Sequence, residues 1–395
     1  MRLIILLIHR WAGLAISVFL IIVGLTGSLL AFNDDLEKLI NPDVFTITSD
    51  QPLMSLASIA NIVEKSHPEV RVGYFMRRDG QPTIVRVRPK INKLTGNPYQ
   101  LNFDQIFIDP SNGKELGKRK WGDISQGKIN LMPFIYKIHF SLLLGDWGIL
   151  LLGVVALIWV FDSIYSIFLT FPKHINNFFT KWKKAWIIKI PFSSFFRFNF
   201  DLHRAAGLWF LPLLLIFAWS SVMFNLPNVY DWTTRNIFDY DSYLDLANKK
   251  TFSPEYAPKL SWVEAENQSS ELMKVIAKKY SFQVIKPIGL AYVAENNVYS
   301  YTVESNLDIS LNSWDGAGIW IDGDTGKLRN IFLPKGQHDG NTISNWLRAL
   351  HFGNINNSLA YRALVGLLGV LITLLSFSGI YIWYKKNKAR KFSDT

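Results

Sequence analysis

The chain of 395 residues contains no cysteine. That excludes disulfides, thiolate metal sites and Cys-ligated iron–sulfur clusters. It also excludes covalent haem attachment through a CxxCH motif, so a redox cofactor would need other ligands. No Walker A, HExxH or GxGxxG motif occurs, which removes the common nucleotide and zinc-protease signatures. Asp109-Pro110-Ser111-Asn112-Gly113 and Asp322-Gly323-Asp324-Thr325-Gly326 resemble calcium-loop fragments. They lack the spaced acids and closing Glu of an EF-hand and read as turns. Acidic residues are also missing between Lys173 and Asp201, a stretch with Lys181, Lys183, Lys184, Lys189 and Arg197.

What is present in quantity is long apolar sequence. Leu3–Phe32 is broken only by His9-Arg10, and Trp147–Pro172, Leu208–Leu226 and Leu359–Tyr384 follow. About 20 apolar residues at about 1.5 Å per residue cross a bilayer core. Four transmembrane helices are therefore expected. The first run is too long for a signal-peptide core and reads as a retained anchor. Short Lys/Arg-rich segments favour the cytoplasm. That rule places Arg2 and Arg10, the loop after run two, and the tail with Lys385, Lys386, Lys388, Arg390 and Lys391 inside. Segments 33–134 and 227–345 then lie outside. The net charge of +11 is largely a topology signal and points to membrane lipid, not to nucleic acid.

The chain reads as a tandem repeat. Ile8-His9-Arg10-Trp11-Ala12-Gly13-Leu14 matches Leu202-His203-Arg204-Ala205-Ala206-Gly207-Leu208. Ile138-His139-Phe140 matches Leu350-His351-Phe352, and Phe107–Lys114 parallels Trp320–Lys327. Each copy carries two spans, so both insert in the same sense as a parallel repeat. In the outer segments, helices are expected at Ser55–Ser66 and Trp262–Tyr280. Strands are expected at Val70–Phe75, Thr83–Val87, Gln105–Asp109, Glu115–Gly117, Asn297–Val303 and Ile319–Asp322.

Four of the seven histidines fall at span ends. His9 and His203 sort to the cytoplasmic face, His139 and His351 to the outer face. Facing neutral imidazoles are what bis-histidine haem ligation requires, with the second ring nitrogen oriented by an acceptor. Gly13, Gly24, Gly27, Ala206 and Gly207 are small enough to admit a flat macrocycle. Arg10 and Arg204 inside, and Arg348 and Arg362 outside, are candidate propionate partners. A His-Arg pair at a helix end also serves as a headgroup anchor, and interfacial histidines also occur in aromatic belts. Asp162 reads as mid-span and bundle-facing, orienting a ligand, bonding a neighbouring helix or carrying protons. His67 and His174 read as surface residues. His338, with Trp314, Trp320 and Arg348, is a candidate substrate contact.

The His9–Leu14 motif, Gly145-x-x-Gly148 after His139, the Asp-x-x-x-Gly-Lys hairpins and Ser378-Gly379-Ile380-Tyr381-Ile382-Trp383 resemble the PepSY-associated transmembrane family. The resemblance covers nearly the whole chain. It implies an integral membrane α-helical protein: a four-helix bundle from a parallel repeat, with two periplasmic α+β PepSY-like domains. The expected division is helix 1 at 1–32, the first outer domain at 33–134, and the outer His segment with helix 2 at 135–172. A basic cytoplasmic loop follows at 173–199, helix 3 at 200–226 and the second outer domain at 227–345. The second His segment with helix 4 covers 346–384, and the cytoplasmic tail 385–395.

Family members include bacterial inner-membrane ferric-siderophore reductases with two b-type haems. By resemblance, His9 and His203 would hold the inner haem, and His139 and His351 the outer one. Many members carry His-Arg at the outer histidines, whereas this chain has Phe140 and Phe352. The flavin extension that some relatives carry is not seen, which leaves the electron donor, a cytoplasmic molecule or a quinol, unidentified. The expected activity is reduction of a periplasmic ferric siderophore. Two other readings remain open: a tethered PepSY module that binds or inhibits a peptidase, and a metal or proton transporter using Asp162.

Overall fold

The structure is a computed structural model and describes residues 1–47, 51–242, 251–253, 255–310 and 316–393. The first apolar run is one helix, α1 (Arg2–Leu30), followed by α2 (Asn33–Ile40) and the single turn α3 (Pro42–Phe45). α4 (Leu56–Ser66) is capped by Ser55, whose Oγ accepts from the Ser58 N–H. Such a cap contributes about 1 kcal/mol. Strands β1 (Val70–Met76), β2 (Thr83–Pro89), β3 (Gln105–Ile108) and β4 (Glu115–Arg119) form an antiparallel meander.

Helices α5 (Leu131–Ser141), α6 (Asp146–Thr170), α7 (Phe178–Trp182), α8 (Phe195–Trp209), α9 (Leu211–Asn225) and α10 (Pro227–Ile237) follow. The second half repeats the first: α11 (Trp262–Lys279), then β5 (Val284–Val293), β6 (Val298–Ser305), β7 (Ala317–Asp322) and β8 (Leu328–Phe332). Ser261 and Glu264 form a reciprocal capping box at the start of α11, which satisfies two otherwise orphan N–H groups. α12 (Asp339–Phe352) and α13 (Leu359–Ser393) end the fold.

The two strand sets join. The sheet has eight strands in the order β4-β3-β2-β1-β5-β6-β7-β8, with β1 and β5 meeting at Tyr74 and Ala291. A four-stranded meander alone would present β1 or β5 as an unpaired edge, and edge-to-edge pairing removes both edges. Segments 33–134 and 227–345 thus share one sheet. They also share one core: Val63, Phe75 and Ile106 belong to the same buried cluster as Met273, Tyr299 and Ile319. α4 and α11 pack together on that face. Alternation along β6 sends Tyr299, Tyr301 and Val303 into the core, and Ser300 and Thr302 to the opposite face.

Among the described residues, three helices, α1, α6 and α13, are long and apolar enough to span a membrane. The third apolar run differs from expectation. It is a pair, α8 and α9, bent by 69°. Pro212, at the start of α9, has no N–H to donate, and its ring clashes with the carbonyl four residues back. The count is three spans, or four when the bent pair is taken as one. These apolar helices make the chain a multi-pass membrane protein.

α1 and α13 pack closely through small residues. A Cβ on Gly24 would lie 2.7 Å from the Gly369 carbonyl oxygen, and Ser28 Oγ donates to the Gly366 carbonyl at 2.9 Å. The middle of the bundle is filled by Ile16, Leu20, Val155, Leu214 and Ile372, with Trp159 and Phe210 against them.

Candidate functional site

The sheet-side histidines do not sit on the spanning helices themselves. His139 is on α5, which stops where Leu142 and Leu143 adopt left-handed backbone with φ of 51° and 62°. α6 then starts beside it. A Cβ on Gly148 would fall 1.7 Å from the Ser141 carbonyl oxygen, so only glycine permits this junction. His351 is on α12, which ends at left-handed Gly353 before α13 begins. His9 and His203 lie within α1 and α8.

The four rings form two pairs. The centroids of His139 and His351 are 6.3 Å apart, and those of His9 and His203 are also 6.3 Å apart. With a metal–nitrogen bond of about 2 Å at each ring and roughly 1.1 Å from nitrogen to ring centre, two trans imidazoles stand a little over 6 Å apart. The spacing of both pairs fits one shared metal atom. Along α1, His9 and Thr26, the contact of His139, are 17 residues apart, or about 25 Å at 1.5 Å per residue.

Each ring uses Nδ1 for a hydrogen bond. Thr26 Oγ1 meets His139 at 3.0 Å, Ser220 Oγ meets His351 at 2.7 Å, and Ser378 Oγ meets His203 at 2.6 Å. All three hydroxyls already donate to carbonyls of their own helices, at Ile22, Ile216 and Leu375. With its single proton on that carbonyl, each hydroxyl offers its oxygen to Nδ1–H. At His9 the acceptor is the Asp162 carboxylate, at 3.0 and 3.1 Å. All four imidazoles thereby present the Nε2 lone pair, the form that binds a metal.

Asp162 lies level with His9 and not at mid-span as the apolar run alone suggests. The three hydroxyl partners carry little signal in the sequence, because Ser and Thr in apolar helices commonly bond their own backbone. Gly27 and Gly379 give the rings room: an added Cβ would meet His139 Cε1 at 3.0 Å and His203 Cε1 at 3.4 Å. A Cβ on Gly207 would meet nothing within 4 Å. Gly24, in contrast, is pressed into the α1–α13 contact, and Ala206 is buried.

The arginines divide. Arg362 pairs with Asp35, and its buried Nε has no hydrogen-bond partner. Arg204 is committed to Asp201 and to the carbonyls of Lys184, Ala185 and Ile187, so it holds the preceding loop. Arg10 is half-buried and makes no hydrogen bond or ion pair with described residues. At the Phe departures, Phe140 packs against Trp121 and Tyr136, and Phe352 against Phe224.

A cavity of about 1390 Å³ is roofed by the polar face of the sheet and reaches past the sheet-side pair to Leu20, Val155, Trp159 and Ile372. His139, His351, Arg348, Arg362, Trp320 and His338 line it. His338 Nδ1 is 2.8 Å from Asp239. Trp314 lies outside the described residues. Three carboxylates on α2, Asp34, Asp35 and Glu37, border the cavity, and Asp35 is the one paired with Arg362. Burial works against ionised Asp34, but Arg78 and bonds from Asn33 and Gln81 hold it below the usual range. Burial raises Glu37 above the usual range despite its 2.6 Å ion pair with Arg119. Among the described residues, no group of three or more His, Asp or Glu could hold a metal ion.

A family description, PepSY-associated TM region, matches residues 6–386. The chain belongs to the PepSY-associated transmembrane family. The match spans both halves of the repeat and all four paired histidines. A search of curated proteins gave no match.

Proposed function

We propose that this PepSY-associated protein carries electrons across the bacterial inner membrane through two bis-His b-type haems and reduces a periplasmic ferric chelate of the siderophore class. The observation that carries the reading is the two imidazole pairs at opposite ends of one bundle, each at metal-sharing spacing with its Nε2 lone pairs presented. Two nitrogens alone make a poor site for a bare ion, and among the described residues no third protein ligand accompanies either pair. A macrocycle that brings four equatorial nitrogens resolves this. Haem bound at each pair supplies one-electron ferric–ferrous chemistry.

The chain's residues do the rest. Thr26, Ser220, Ser378 and Asp162 fix ring orientation and tautomer. Arg362, through its unpartnered Nε, and Arg348 offer charge to propionates at the sheet side, and Arg10 does so at the far end. The cavity above His139 and His351 receives the ferric chelate, with Trp320 and His338 in its walls. Reduction weakens iron's hold on hard oxygen ligands and so releases it. The Lys/Arg-rich segments 173–199 and 385–395 support a cytoplasmic far end and a periplasmic sheet. The apolar middle argues against an ion pathway and therefore against the transporter reading.

The test is optical. Protein produced with haem available should show a Soret band, two haems per chain, and reoxidation of the reduced form by a ferric siderophore. A colourless preparation overturns the proposal. If that colourless protein captures a periplasmic peptidase, the tethered-module reading replaces it.

A further inference from the structure

We infer that the contact of Asp162 with His9 makes the far-end histidine pair the lower-potential site and so directs electrons toward the sheet side, an inference that rests on the di-haem reading. Three of the four histidines give their Nδ1–H to a neutral hydroxyl. Only His9 gives it to a carboxylate, and both oxygens of Asp162 are within 3.1 Å. Asp162 is 7% exposed, and its one ion pair among the described residues is with His9. A carboxylate held this way in an apolar helix is costly, so its placement calls for a role.

A charged acceptor makes a stronger hydrogen bond than a neutral one. It draws the Nδ1 proton outward and raises the basicity of Nε2. A more electron-rich axial ligand favours ferric over ferrous iron. The negative charge itself acts in the same direction across a low-dielectric interior. At the sheet side both ring partners are uncharged hydroxyls, so the acceptor at His9 is the charge that separates the two pairs. A quinol or flavin-hydroquinone donor would give up two electrons one at a time and release its protons on its own side as it becomes quinone or oxidised flavin. Each electron would enter at the far-end pair and leave from the sheet-side pair on one ferric chelate, so two chelates become ferrous per donor oxidised.

The experiment is spectroelectrochemical titration of the haem-loaded protein. Asp162→Asn keeps an acceptor oxygen and removes the charge. His139→Ala or His351→Ala removes the sheet-side haem and assigns the waves. We expect two waves in the native protein, with the lower one surviving in His139→Ala. In Asp162→Asn the lower wave should move upward while the upper wave stays in place. The inference is overturned if the surviving wave is the higher one, if both waves coincide, or if Asp162→Asn leaves the lower wave unmoved. If Asp162→Asn retains no far-end haem, the assignment from His139→Ala decides the order. Absence of haem from the native protein defeats the di-haem reading itself; two haems in the wrong order defeat only this inference.

Discussion

Ser220 Oγ stands 2.7 Å from Nδ1 of His351, which leaves Nε2 as the nitrogen open to a metal. Loss of an orienting partner of this kind typically lowers affinity about 10- to 100-fold. Ser220→Ala should therefore weaken haem binding at the sheet-side pair and spare the far-end pair, as read by haem titration of the depleted protein. Gly27→Val should remove the sheet-side haem outright, because even a Cβ there approaches His139 Cε1 to 3.0 Å. Persistence of both haems in that variant would count against the ring position. In the sheet, Asp322 is held near a pKa of about 2: burial works against its charge, but Arg329, Thr325 and the Asp324 N–H outweigh it. A depressed carboxylate stabilises the fold above its unfolded value of 3.8 and loses that contribution as pH falls toward about 2. The melting temperature of Asp322→Asn should lie below native at neutral pH, and the gap should shrink across that window. The four histidines were legible in the sequence because they recur at equivalent places. Their hydroxyl partners were not, because Thr26, Ser220 and Ser378 look like any small polar residue in an apolar helix.

Helices and strands were legible where one period dominated. α4, α11 and β6 fall within a residue or two of the positions read from their alternation. β5 was not foreseen. It contains Pro287 and Gly289, residues usually excluded from strand interiors, and the ladder shifts register between Val284 and Lys286 and again between Pro287 and Gly289. The bend between α8 and α9 was hidden for a related reason: hydropathy runs through Pro212 without a break, and only the missing N–H marks the turn. The α1–α13 contact is the element most sensitive to volume. Gly369→Leu must displace the Gly24 carbonyl, at 2.5 Å from the added Cβ. Overpacking typically costs 1–3 kcal/mol. A lower melting temperature in detergent, with loss of haem from both pairs, is the expected result. An unchanged melting curve would mean that the two helices are not held at that distance.

The whole molecule combines a bundle with a single roof. Repeat matches such as Phe107–Lys114 with Trp320–Lys327 made the duplication visible, but nothing in either copy announced that β1 and β5 would pair. Edge strands advertise unmet hydrogen bonds and leave open what meets them. One shared core implies one cooperative unit. Hydrogen exchange should show β2 and β6 losing protection together. Ala291→Pro at the seam should lower protection in both halves; a loss confined to the second half would restore the picture of two independent domains. The apolar middle of the bundle, from Ile16 to Ile372, has a consequence for energetics. It is an insulator to hydrated ions and protons, so no counter-charge travels with an electron that crosses it. Under the electron-carrier proposal each turnover would move one negative charge out of an interior that is itself negative, and the field would do about 2.3 kcal/mol of work per 100 mV. The membrane potential would then help to drive reduction outward and be discharged by it. In proteoliposomes with donor inside and chelate outside, collapsing the potential with an ionophore should slow the reaction.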